Sequence, residues 1–183
     1  MRKKPETLHR RETARSRLFR VETVGLRFAN GIEVEYERLT SSTSGAVIVA
    51  PLLDDDTVLL IREYAAGTER YELALPKGRV EPGEDVLAAA NREIKEEVGY
   101  GARELQAIRQ LSVAPGYMQH LTHLVLARDL YPERLPGDEP EPIEVVPWRL
   151  SHLDELMAQE ECSEARSIAA LYIIRDRLQK EAT

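Results

Sequence analysis

Between Pro76 and Gly101 the chain reads "PKGRVEPGEDVLAAANREIKEEVGYG", and this stretch limits the possible folds more than any other. Pro76, Gly78, Pro82 and Gly83 break any helix and demand a loop. Glu84 and Asp85 follow, where a helix N-terminus favours negative charge. The pattern predicts a helix over residues 84–98, with Gly99 at the left-handed position beyond its end. At about 100° per residue, Leu87, Ala90, Ile94 and Val98 form one apolar stripe. Glu93, Glu96 and Glu97 share an arc of about 100° that borders this stripe. Lys95 points away, and Arg92 is one turn from Glu96. Glu93 and Glu97 are left with no local cation, and Ala89 keeps bulk off the acidic face.

Glutamates spaced i, i+4 on an exposed helix repel by roughly 0.2–0.5 kcal/mol per pair. Two readings accommodate the crowding. Either the face is solvated, with a single Arg–Glu pair, or it is a ligand set for a hard divalent cation. Mg²⁺ takes a few carboxylates together with water and substrate phosphate. The preceding glycine-rich loop and the small flanking residues favour the cation.

The remaining chain frames this element. Hydrophobic residues make up 43% of the 183, enough for a core. Apolar runs such as "GAVIVAPLL" are too short to span a bilayer, and no charged-then-apolar segment opens the sequence. The single Cys162 excludes an internal disulfide and suits a reducing cytoplasm. The net charge of −7 is uneven: the first 20 residues hold eight Lys/Arg and two Glu, leaving the rest acidic. Residues 1–14 read as a flexible basic arm. An acidic body argues against general binding to a phosphate backbone.

Residues 15–40 hold two strand-like runs around the Asn30-Gly31 turn, an antiparallel hairpin. "SSTSG" (Ser41 to Gly45) is a loop, and residues 45–183 are expected to be the main domain. Strands are expected at 46–53, 57–64, 71–76, 105–113, 120–128 and 145–148, and helices at 151–161 and 163–182, each with a Ser N-cap candidate. Strands arrive in runs instead of strict alternation with helices, which predicts an α/β or α+β mixed sheet with helices around it.

The central stretch resembles the box of the Nudix hydrolases: Gly78, Glu84, Arg92, Glu93, Ile94, Glu96, Glu97 and Gly99 match, and Tyr100 departs mildly from an apolar position. The resemblance implies an α/β/α sandwich with a mixed sheet, and hydrolysis of a nucleoside diphosphate linked to another group. It implies Glu93 and Glu97 as main metal ligands, Glu96 as a supporting and catalytic one, and the Lys77 carbonyl as a further ligand. Gly78, Glu84, Arg92 and Gly99 then have structural roles. Two to three Mg²⁺, or Mn²⁺, are the implied cofactors.

An N-terminal hairpin before the box, and Pro115 in "SVAPGYM", resemble the ADP-ribose pyrophosphatase branch, whose N-terminal strands help build a homodimer. "GDEPEPIEVV" resembles that branch's acidic loop, which implies Glu139 as general base and Glu141 as a metal ligand. Ala65 stands where a phosphate-binding Arg of the branch aligns, so Arg62 or Arg38 is expected to supply that charge, with Glu72 as another substrate contact. The resemblance implies cytoplasmic cleavage of ADP-ribose, NADH and diadenosine polyphosphates, with AMP as product. Two alternatives remain: a nucleotide sensor without turnover, whose usual mark is a degraded box, and an RNA 5'-pyrophosphohydrolase that uses the basic arm. Tyr71 or Tyr117 is a candidate for the base pocket, Trp148 for a core anchor or for stacking on adenine, and His120 and His123 for core or rim positions.

Overall fold

Along "AVIVAP", Ile48 and Ala50 point to one side and Val47 and Val49 to the other, and all four are fully buried. A strand with two apolar faces must lie inside a layered structure. The computed structural model describes residues 2–40 and 45–181; the expected loop at Ser41 to Ser44 lies outside them. In chain order the strands are β1 (Glu6–Arg15), β2 (Arg20–Arg27), β3 (Glu33–Thr40), β4 (Ala46–Pro51), β5 (Thr57–Ala65), β6 (Arg70–Ala74), β7 (Lys77–Arg79), β8 (Tyr100–Ser112), β9 (Met118–Gln119), β10 (Leu121–Pro132) and β11 (Glu144–Arg149). The helices are α1 (Val86–Glu97), α2 (Leu153–Met157) and α3 (Ala165–Glu181).

Two sheets make the central layer, ordered β7-β4-β10-β8 and β11-β5-β6. The first is mixed, because β4 and β10 run parallel while β7 and β8 pair antiparallel. Val47, Val49, Leu59, Ile61, Val125 and Ala127 face α1, meeting Ala89, Ala90, Ile94 and Val98. Ile48, Ala50, Leu60, Leu124 and Leu126 face the opposite way, onto Leu153, Leu156, Leu171 and Ile174 of α2 and α3. The result is the expected α/β/α sandwich.

Residues 6–15 correct the expectation of a flexible arm over 1–14. They form β1, which extends the β2–β3 hairpin into a meander. Its registered pairs with β2 run from Glu6↔Arg27 to Arg15↔Arg20. A third sheet of order β1-β2-β3-β9 results, and β9 joins it to the main body through Leu39↔Met118. Arg10, Arg11 and Arg15 therefore sit on a paired strand.

Two helix starts also differ from expectation. Ser151 gives its hydroxyl and its N–H to Asp56, 2.7 and 2.8 Å away, and caps nothing. A short 3-10 turn (Leu150–His152) precedes α2, which ends at Met157. At α3 the cap is Glu164: its carboxylate accepts the Ser167 N–H at 2.7 Å, while Ser163 turns to Glu72. Trp148 packs against the α2–α3 core cluster and donates its indole N–H to the His152 carbonyl.

Candidate active site

The loop before α1 and the first turn of that helix are tied together locally. Asp85 is the N-cap, and its carboxylate accepts the Leu87 and Ala88 N–H groups at 2.8 and 3.3 Å. Gly99 ends the helix at φ +82°, a conformation costly for any residue with a side chain. Lys95 does point away, and pairs with Glu133 at 2.9 Å.

Arg92 reaches further than Glu96 alone. Its Nε and Nη2 fork onto Glu84 at 2.9 and 3.0 Å, and Nη1 donates to Glu93 at 2.8 Å and to Glu96 at 3.0 Å. Nη2 also donates to the Arg79 carbonyl. So Glu93 does have a neighbouring cation, contrary to the expectation from helix angles. Side chains at i and i+1 diverge on a helix, yet the long guanidinium spans both carboxylates. This contact holds the Glu84 carboxyl below its ordinary range, and the carboxylates hold Arg92 firmly protonated.

Glu97 has a different environment. It is buried at 4% exposure and accepts the Lys77 backbone N–H at 2.9 Å. Burial pushes its carboxyl up to about 8, against the pull of the Lys77 charge. Burial also raises Glu93, with Arg92 opposing. In both, burial outweighs the positive charge nearby.

Glu93, Glu96 and Glu97 line one cavity of about 530 Å³, together with Lys77, Gly78, Arg79, Arg92 and Glu139. Glu139 comes from the loop before β11, so the structure brings it to the α1 carboxylates. Their hard oxygen donors, two of them buried, fit a divalent cation. Among the described residues no three carboxylates already converge on one ion, since Arg92 engages Glu93 and Glu96. Glu93, Glu96 and Glu97, with the Lys77 carbonyl, are the donors that could hold such a cation.

Other expected site residues are elsewhere. Arg62 grips Glu161 with two hydrogen bonds, 3.1 and 2.7 Å, and reaches Glu144 with a third. Arg38 pairs with Glu22 inside the N-terminal sheet at 2.8 Å. Glu72 is buried and bonds Ser163, Arg70 and Thr68. None of the three lines the cavity, because each is consumed by a fixed partner. Glu141 lies in a neighbouring cavity with Glu96 and Glu139, where it accepts the Tyr71 hydroxyl at 2.6 Å. His120 and His123 bond Thr122 and Gln110, outside the cavity.

Glu63 and Arg79 are among the cavity residues that the sequence did not single out. Glu63 lies 3.4 Å from the Lys77 ammonium. Strand alternation carried the signal, since Leu59 and Ile61 face α1 and Glu63 continues that face beyond the core. Arg79 is two-thirds exposed, and its pair with Glu81 is long, at 3.9 Å. Adjacency to Gly78 was its only mark.

Comparison with known proteins agrees with this geometry. Residues 43–172 match the NUDIX domain, and residues 5–38 match the NudE-type Nudix hydrolase N-terminal domain. The ADP compounds hydrolase NudE of Escherichia coli (strain K12) is 49% identical over 175 residues, 96% of this chain and 94% of that protein. An ADP-ribose pyrophosphatase of Bacillus subtilis (strain 168) is 29% identical over 133 residues, 72% of each chain. The crystal structure of an ADP compounds hydrolase superposes with a TM-score of 0.89 at 47% identity, covering 99% of this chain and 97% of that one. The chain therefore belongs to the Nudix hydrolase family and carries its NudE-type N-terminal domain.

Proposed function

We propose that this Nudix hydrolase cleaves the diphosphate bond of ADP-linked compounds, such as ADP-ribose, NADH and diadenosine polyphosphates, and releases AMP. The observation that carries this reading is the cavity in which buried Glu93 and Glu97 stand beside Lys77 and Arg79. It is supported by the relative named an ADP compounds hydrolase, which aligns along nearly the whole chain.

Nudix hydrolases generally use divalent metal ions. Glu93 and Glu97, with support from Glu96, would hold two to three Mg²⁺ or Mn²⁺, which would neutralise phosphoryl oxygens and lower the pKa of bound water. Lys77 and Arg79 attract and orient the diphosphate. Glu139 takes the proton of the water that attacks phosphorus, and the bond to the bridging oxygen breaks as AMP separates. Gly78 leaves room for the Glu93 carboxylate, and Arg92 holds the glutamates at the right height on the helix.

The sensor alternative is disfavoured because every acid of the box is present. The RNA alternative, which uses the basic arm, is disfavoured by the acidic body of the chain. The protein is proposed to act in the cytoplasm, as the lone Cys162 favours, and as a homodimer. Exposed Ile32, Val34 and Tyr36 on and beside β3 favour the homodimer. No helix among the described residues is long and apolar enough to cross a membrane.

The test is a panel of ADP-ribose, NADH, diadenosine polyphosphates and triphosphate RNA, each with Mg²⁺ and chromatographic product analysis. AMP from the ADP-linked compounds is expected. Turnover of RNA alone, or of nothing in the panel, would overturn the proposal.

A further inference from the structure

The loop between β10 and β11 carries Glu139 to the cavity and is anchored at both ends. At its entry Leu135 donates its N–H to the Lys95 carbonyl at 3.1 Å, and Glu133 to the Gly99 carbonyl at 3.2 Å. Lys95 also pairs with Glu133. At its exit Arg62 holds Glu144. Between Leu135 and Glu144, among the described residues, one hydrogen bond ties the loop to the sheet. Tyr71 on β6 donates its hydroxyl to Glu141 Oε1 at 2.6 Å. The Tyr71 ring is half exposed and meets Tyr64 edge-on, with centroids 5.5 Å apart, so the phenol is braced from the sheet side.

We propose that Tyr71 and Glu141 are positioning residues: their hydrogen bond pins the acidic loop and so sets the Glu139 carboxylate over the α1 glutamates. The inference rests on the role proposed above for Glu139. Glu141 is two residues from Glu139, so a bond there leaves the base little freedom to move. Glu141 lines the neighbouring cavity with Glu96 and Glu139, and the cavity of Glu93 and Glu97 does not include it. One of its oxygens is taken by the phenol. The hydrogen bond to Glu141 and its nearby charge raise the Tyr71 phenol above its ordinary range, which keeps the donor protonated. A free acidic loop would swing away from a face already rich in carboxylates, by like-charge repulsion. The latch opposes that tendency.

The experiment uses the full chain with Mg²⁺ and ADP-ribose, and reads kcat, KM and the Mg²⁺ requirement beside backbone hydrogen exchange. Tyr71→Phe removes only the hydroxyl. It is expected to speed exchange across residues 136–142 and to lower kcat about tenfold, with KM and the half-activating Mg²⁺ concentration within about twofold. Glu141→Gln keeps a carbonyl acceptor for the phenol and should leave exchange across residues 136–142 at the wild-type rate. Glu141→Ala should match Tyr71→Phe, and the double variant should be no worse than either single one. The proposal fails if Tyr71→Phe leaves exchange or kcat unchanged. It also fails if Tyr71→Phe raises KM alone, which would make Tyr71 a substrate contact. A higher Mg²⁺ requirement in Glu141→Gln would make Glu141 a ligand and defeat it too. Absence of AMP from the wild-type protein would strike the proposed function instead, and the exchange measurement would still judge the latch.

Discussion

Gly78 lies so close to Glu93 that a Cβ built on it would fall 2.0 Å from the Glu93 carboxyl carbon. Real Cβ atoms do not approach heavy atoms so closely, and the carboxylate would have to leave. Gly78→Ala is therefore expected to lower kcat/KM by about 10²-fold, the scale of a misplacement of about 1 Å at a catalytic group. The loss of stability should be smaller, about 1–3 kcal/mol by denaturant titration, because the Glu93 side chain can swing toward the cavity. Normal turnover in this variant would show that the Glu93 position is unimportant.

Arg92 offsets three carboxylates at once, and its side chain is 28% exposed. Removing it leaves Glu84, Glu93 and Glu96 facing one another. Arg92→Ala should lose about 1–3 kcal/mol, less than for a fully buried pair because water reaches the group. Added Mg²⁺ should raise its melting temperature more than that of the wild type, since a bound cation can replace part of the missing charge. Equal Mg²⁺ shifts in both proteins would separate the guanidinium from the cation site.

Cys162 is buried, and burial pushes its thiol up to about 11 from an ordinary 9. In the folded chain the thiol keeps its proton where the unfolded chain loses it. Its contribution to stability is therefore complete below pH 9 and falls away as pH rises toward 11. Native protein should resist iodoacetamide at about pH 8 and react at once in urea, as judged by mass. Rapid alkylation of the native chain would contradict the burial.

Val34 and Tyr36 alternate onto one face of β3, and both are exposed. If that face is the proposed dimer contact, Tyr36→Asp should shift sedimentation from dimer to monomer at micromolar concentration. A wild-type monomer, or an unshifted dimer in the variant, would move the contact elsewhere.

The α1 element was legible in the sequence because its signals are local. A helix period, a capping carboxylate and four helix breakers all fall within 26 residues. β1 was not legible. "ETLHRRETAR" has no apolar alternation, and its strand state comes from pairing with β2. The charges of Arg38, Arg62 and Glu72 were visible, but their partners were not: Glu22, Glu161 and Ser163 lie 16, 99 and 91 positions away. Whether a charged residue reaches the cavity or is held by a close partner elsewhere is a property of distant chain segments. Arg79, beside the box, was left with its weak partner and is the better candidate.

The most direct test compares wild-type protein with Glu97→Gln, side by side, on ADP-ribose with and without Mg²⁺. Glu97 is the most buried of the three glutamates and is isosteric with Gln, so the fold should survive, as circular dichroism would show. The wild type should release AMP only with the metal, and the variant should lose at least about 10²-fold in kcat. Near-normal AMP release from Glu97→Gln, or metal-independent release from the wild type, would contradict the metal site built on α1.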